Sequence, residues 1–307
     1  MTQKHDNDKA LSLLSSNMLT QWIDFMSVRP QSIKTYKNTI RCMFKYFQSK
    51  SITRPTRQDI KNWLEYLKSK YKPSTCNLYL SSCKLFFRFL AQENIYPNIA
   101  DNIKGCKIGH DHKKEALDVD QSRRLIDSIN EHTLKAMRDK AIISLMLSAG
   151  LRTVEIIRAN IEDLRMVDGN IYLYVVGKGR DEKERVLVAS QVLENIKTYL
   201  KERGVKDGKA PLFASVSSRN FGERLTTASI SRLVKLQLIE AGLKNEYLTA
   251  HSLRHTCATQ ALLNGESLAN VQMILRHQNI STTMIYAHHI DRTKNKGEQT
   301  VADALFD

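Results

Sequence analysis

One stretch limits what this chain of 307 residues can fold into. Asp168 to Val188 carries the only clear strand pattern. Asp168-Gly169 reads as a hairpin turn, and Ile171 to Val176 as a strand. Gly177-Lys178-Gly179-Arg180 reads as a second glycine-rich turn, and Glu184 to Val188 as a strand that pairs back. Elsewhere the apolar residues recur at helical spacing. The expected fold is therefore mainly α, with a small three-stranded antiparallel sheet set among helices.

The helices sort into two groups. Leu11, Leu14, Met18, Leu19, Trp22, Ile23 and Met26 predict a first helix. A second begins at Pro30 to Ser32 and turns Ile33, Tyr36, Ile40, Met43, Phe44 and Phe47 to one side. Its other side carries Lys34, Lys37, Arg41 and Lys45. Pro55-Thr56 opens a third, with Thr56 and Asp59 spaced as a capping box and Ile60, Trp63, Leu64 and Leu67 as core. Pro73-Ser74 opens a fourth that runs to near Leu90 and packs Phe86, Phe87 and Phe89. Residues 11–104 thus read as a helical bundle with basic outer faces, after a disordered start at 1–10.

Residues 105–116 break the periodicity with two glycines and mixed charge, and read as an interdomain linker. A second domain, α+β in class, is expected over 117–290. Its helices are predicted at Asp118–Ile129, at Leu134–Ala149 with Gly150 as terminator, and at Val154–Ala159 with Thr153 as cap. After the sheet come Gln191–Glu202, Thr227–Ala241, Leu253–Leu263, Leu268–Leu275, and Thr282 to about His288. Residues 291–307 form a charged tail with an apolar tip.

Charge narrows the partner. The formal net charge is +15, which points to a polyanion, nucleic acid first. Residues 1–110 hold 18 Lys/Arg against 7 Asp/Glu, so most of the excess lies on the bundle, where basic helix faces can neutralise phosphates. The five cysteines (Cys42, Cys76, Cys83, Cys106, Cys257) show no metal-ligand spacing, and His110 and His112 have no third ligand near them. No metal site is expected. The polar start has no secretory pattern and no run is apolar enough to span a bilayer, so the expected location is the cytoplasm.

The chemistry-bearing residues crowd toward the C-terminal end. His251 and Arg254 lie one helical turn apart and share a face. His277 follows a short predicted helix, and Tyr286 sits on the next. Arg152 stands directly after the helix-ending Gly150, and Lys178 between two glycines of a hairpin. A phenol can attack phosphorus only if it loses a proton and the leaving oxygen gains one. Charge on the non-bridging oxygens needs fixed positive donors. Two guanidinium forks meet that need without a metal ion, a lysine on a hairpin can supply the proton, and histidines can tune the phenol.

These boxes in this order resemble the tyrosine recombinase, or phage-integrase-like, family. Ala149-Gly150-Leu151-Arg152-Thr153-Val154-Glu155 is similar to its first arginine box, with Glu155 at the supporting acidic position. Gly177-Lys178-Gly179 resembles its hairpin lysine. His251-Ser252-Leu253-Arg254-His255-Thr256, Leu275-Arg276-His277 and Ser281-Thr282-Thr283-Met284-Ile285-Tyr286 match the remaining boxes. The likeness spans about residues 12–290, and in size the chain resembles Xer recombinases and simple mobile-element integrases.

The resemblance implies a SAM-like core-binding domain over 11–104 and a catalytic domain over 117–290. It implies Tyr286 as nucleophile, forming a 3′-phosphotyrosyl bond, and Arg152, Arg254, His251 and His277 as the phosphate clamp. Lys178 would be the general acid. It implies no cofactor and no ATP, double-stranded DNA with a specific site as partner, and a tetramer exchanging strands between two duplexes. The tail would dock on a neighbouring protomer. Two other readings compete: a DNA-binding accessory protein without strand exchange, and a type IB topoisomerase-like nicking-closing enzyme. One position departs from the family pattern. Arg276 stands where glycine is usual, so either the turn there is built differently or Arg276 contacts DNA.

Overall fold

A computed structural model of the chain describes residues 16–26, 30–108, 115–177, 182–243, 245–287 and 297–306. The chain divides into two compact units, Met1–Asp111 and His112–Asp307. The expected disorder at 1–10 and much of the expected linker fall outside the described residues.

The first unit holds α1 (Ser16–Met26), α2 (Pro30–Ser49), α3 (Arg57–Lys68) and α4 (Pro73–Gln92). The capping box of α3 forms: Asp59 N–H donates to Thr56 Oγ1, and Thr56 N–H donates to Asp59 Oδ2 at 2.7 Å. Aromatic rings from three helices meet at the centre. Trp22 packs edge-on against Phe86 with centroids 5.3 Å apart, and Phe44 against Phe86 at 5.9 Å. Ile40, Met43, Phe47, Ile60, Trp63 and Leu67 complete the core. On α2, Lys34, Arg41 and Lys45 are exposed and Lys37 is half-buried.

The second unit opens with α5 (Val119–Asp127), α6 (Leu134–Ala149) and α7 (Thr153–Arg158). Nearly every face of α6 is covered, and Ile142, Ile143, Leu145 and Met146 lie in the core. Gly150 ends it in the left-handed region at φ 58°. A Cβ at Gly150 would sit 2.6 Å from Leu275 Cδ2 and 3.3 Å from Cys257 Sγ. Glycine is thus required twice over: it adopts the turn freely and lets two later helices close on it. The cap expected of Thr153 falls one residue earlier. Arg152 takes the N-cap position, and the Glu155 carboxylate accepts its backbone N–H at 2.8 Å.

The sheet follows: β1 (Leu164–Val167), β2 (Asn170–Val176) and β3 (Lys183–Leu187), antiparallel in that order. Leu173, Val175 and Val186 face the core. On the opposite face, Arg165 lies over the Tyr174 ring and Arg185 over the Tyr172 ring. Helices α8 (Ser190–Arg203), α9 (Thr227–Glu240), α10 (Ala250–Leu263), α11 (Leu268–Leu275) and α12 (Ser281–Ala287) complete the domain. Helix α10 starts three residues before the expected Leu253, because Thr249 and Ser252 cap its first turn. The fold is mainly helical, with an N-terminal helical bundle and an α+β second unit holding one three-stranded antiparallel sheet. A further helix, α13 (Gly297–Phe306), lies in the tail, with Leu305 and Phe306 70% and 87% exposed. Among the described residues no helix is long and apolar enough to cross a membrane.

Candidate active site

The ends of α6 and α11 leave carbonyl groups without helical partners. Two arginine side chains fill that need. Arg254, on α10 and 1% exposed, donates through Nη1 to the Gly150 carbonyl and through Nη2 to the Leu275 carbonyl. The negative end of each helix dipole thus meets a guanidinium. Arg254 is locked between the turn that carries Arg152 and the turn that carries His277.

Arg152 is fixed by its neighbour. Its Nη1 donates to Glu155 Oε1 at 2.8 Å, while its Nη2 lies 3.4 Å from the Arg276 carbonyl oxygen. Glu155 is fully buried. Burial alone pulls its carboxyl upward, but the Arg276 charge and the hydrogen bonds from Arg152 and Arg276 outweigh it and hold it below the usual carboxylate range.

Tyr286, on α12, is 3% exposed and packs with Ala258, Val271 and Leu275. Its ring meets His255 edge-on at 4.8 Å and lies nearly parallel to His277 at 6.1 Å. His255 in turn meets His251 edge-on at 4.8 Å. Burial raises the phenol above its ordinary value, against the pull of the Arg254 and Arg152 charges. Desolvation, helped by Arg254 and Arg152, lowers His277 to about 4, so its ring is neutral at pH 7. Its Nδ1 is 2.9 Å from Thr283 Oγ1.

Arg152, His251, Arg254, His277 and Tyr286 line one cleft of about 360 Å³. Gly177 lines it too. Lys178, the next residue, lies outside the described residues. The cleft therefore pairs one buried guanidinium, Arg254, and one half-buried, Arg152, with a neutral imidazole and a phenol. Such a set can hold a phosphodiester and attack it.

Arg276 lines the same cleft. It is left-handed, at φ 54° and ψ 45°, a conformation that costs a side-chain-bearing residue about 1–2 kcal/mol. Its side chain is only 6% exposed and turns inward, with Nη2 2.8 Å from Glu155 Oε2. The left-handed turn that glycine would suit is kept, and the guanidinium is used inside the protein. Two further residues of the site carried weak signals in the sequence. His255 stands four residues after His251, and Thr283 three before Tyr286, each on the same helix face as its neighbour.

The phage integrase family model matches residues 115–293, and that of the phage integrase N-terminal SAM-like domain matches 19–94. The chain belongs to the phage integrase family. It is 33% identical over 266 residues to the tyrosine recombinase XerC of Vibrio vulnificus, covering 83% of this chain and 80% of that protein. It is 32% identical to XerA of Pyrococcus horikoshii, covering 89% and 90%. The fold is similar to that of the XerH site-specific recombinase bound to its palindromic difH substrate in a post-cleavage complex. That likeness has a TM-score of 0.74 at 23% identity over 94% of this chain and 85% of that one. This family member is a site-specific DNA recombinase of the tyrosine class, and the fold expected from the resemblance is the fold found.

Proposed function

We propose that Tyr286 Oη attacks a DNA phosphodiester, forming a 3′-phosphotyrosyl bond as the bond to the 5′ oxygen breaks. The phenol proton passes to a neutral imidazole in the cleft, and the 5′ oxygen takes a proton from the Lys178 ammonium. Arg152, Arg254, His251 and His277 hold the phosphate, and Glu155 supports Arg152. The phosphotyrosyl bond keeps the energy of the cut strand, so rejoining needs no ATP and no cofactor. The observation that carries this reading is the convergence of Arg152, His251, Arg254, His277 and Tyr286 on one cleft.

The wider assignment follows the same lines. Residues 11–104 serve as the core-binding clamp on double-stranded DNA, with Lys34, Lys37, Arg41 and Lys45 of α2 toward the phosphates. Residues 105–116 link it to the catalytic domain at 117–290. The tail at 291–307 docks through its apolar tip on a neighbouring protomer, an idea supported by the exposure of Leu305 and Phe306. Four protomers act in the cytoplasm on two duplexes, in a mobile-element or Xer-like role. Lambda integrase, a similar fold at 19% identity, has been seen as a tetramer on a Holliday junction.

Nicked duplexes tiled across the DNA flanking the gene test the reading. Denaturing gels should trap a covalent adduct, and mass spectrometry should place it on Tyr286. An adduct on another residue would reject the nucleophile. Relaxation of plasmids lacking any such site, with no joining of two duplexes, would favour the topoisomerase-like alternative.

A further inference from the structure

Arg276 has no role in the chemistry proposed above, yet the fold commits both strain and a buried charge to it. It is a non-glycine residue in the left-handed region, at φ 54°. Glycine would adopt that turn with less strain. Whatever arginine contributes must therefore come from its side chain, and that side chain is buried and engaged at both terminal nitrogens. Nη1 donates to the Ile274 carbonyl at 2.6 Å, while Nη2 donates to Glu155 Oε2 at 2.8 Å and lies 3.4 Å from the Gly150 carbonyl.

The Glu155 carboxylate is the meeting point. Oε1 accepts from Arg152 Nη1, and Oε2 accepts from both the Arg152 N–H and Arg276 Nη2. Arg276 also gives its own carbonyl oxygen to Arg152 Nη2 at 3.4 Å. Arg152 is thus held through its backbone, through one guanidinium nitrogen by Glu155, and through the other by the backbone of Arg276. We propose that Arg276 is a positioning residue for Arg152, acting through their shared carboxylate.

Two physical effects make up this role. The first is geometric. A carboxylate gripped from one side alone can swing, and the arginine it holds swings with it. Gripped from both sides, and by an arginine anchored on α6 and α11 carbonyls, it is fixed. The second is electrostatic. One carboxylate facing one arginine makes a pair with little net charge to offer an anion. Dividing that carboxylate between two guanidinium groups leaves positive charge over at Arg152, whose side chain stays 26% exposed on the cleft.

The inference rests on the reading of the cleft as the strand-cutting site, and its test separates the two. The probe is a nicked duplex that gives the wild-type adduct. The variants are R276Q, R276K, R276G, E155Q and the double change R276Q/E155Q. Binding affinity is read by titration, and chemistry by the single-turnover capture rate at saturating protein, below the lowest melting temperature of the set. Expected is unchanged binding, with capture slowed roughly 10–100-fold in R276Q and R276G, as when an orienting partner is removed. R276K should recover part of the rate by restoring charge. In the E155Q background, R276Q should cost less than about twofold more, because coupled residues do not add.

Should R276Q fold poorly, R276G carries the test, since it removes the side chain and relieves the turn. Wild-type capture rates in R276G would overturn the inference, and so would full additivity with E155Q. A wild-type adduct at Tyr286 alongside either result would leave the functional reading standing. Failure of the wild type to form any adduct at Tyr286 would overturn both.

Discussion

The molecule carries positive charge in two very different ways. On α2 of the first unit, Lys34, Arg41 and Lys45 stand in solvent on one helix face. In the cleft of the second unit, Arg254 and Arg276 are almost wholly enclosed, each bonded to carbonyls at helix ends. Exposed charges of the first kind attract a polyanion over a distance, and salt screens them. Enclosed guanidinium groups of the second kind are held in place before any substrate arrives, so their value lies in geometry. Affinity and chemistry should therefore be separable by mutation.

The largest separation is expected from Tyr286→Phe. The ring keeps its packing against His255 and His277, and only the hydroxyl goes. Covalent capture should vanish while the binding isotherm stays within error of the wild type. A surviving adduct in this variant would refute the assigned nucleophile.

Next in size is Arg254→Gln, which attacks the enclosed charge directly. Capture should fall by roughly 10²–10³-fold, the usual effect of removing one preorganised donor. Here, unlike on α2, stability should fall as well. The Gly150 and Leu275 carbonyls lose their partners, and each buried group left unmade costs about 1–3 kcal/mol. A melting temperature equal to that of the wild type would show that Arg254 does not hold the two turns together.

The same contrast explains what is legible in the sequence. The α2 face can be read from spacing alone, since exposed lysines between apolar positions of a helix have nowhere else to go. The capping box at Thr56 and Asp59 and the left-handed turn at Gly150 are legible for the same reason: their causes lie within a few residues. The boxes around Arg152, His251, Arg254, His277 and Tyr286 are legible as a pattern, but not as a geometry. Nothing local says that Arg254 reaches back to Gly150, more than a hundred residues away. The inward turn of Arg276 depends on Glu155, 121 residues distant, and so an outward DNA contact is equally consistent with its sequence. Thr153 reads as a cap because its hydroxyl is the usual signal, while the actual N-cap, Arg152, is set by Glu155 reaching back.

A smaller effect is expected from the exposed charges. Changing Lys34, Lys37, Arg41 and Lys45 together to glutamine should weaken binding and flatten its dependence on salt. The slope of log K against log salt should drop by roughly 0.9 for each phosphate that is no longer neutralised. At saturating protein the capture rate should be unchanged, because the chemistry rests on the cleft groups of the second unit. A lower capture rate with an unaltered salt slope would reverse the division of labour between the two regions.

The smallest effect, and the one that probes the cleft most finely, is in the pH dependence of His277. Its ordinary value is near 6.5, and in the fold burial and then the Arg254 and Arg152 charges bring it to about 4. Between those limits the unfolded chain binds a proton that the folded chain does not. The stability tied to the neutral ring is therefore fully present above pH 6.5 and drains away as the pH falls toward 4. Melting temperatures of wild type and His277→Gln, compared between about pH 7.5 and about pH 4.5, should show the steeper decline in the wild type. The capture rate should show no limb near 6.5 belonging to His277, because the ring in the folded protein is still neutral there. A limb at 6.5 that disappears in His277→Gln would mean that the ring titrates as it does in water. The cleft would then lack the desolvation that sets its arginines apart from the lysines of α2.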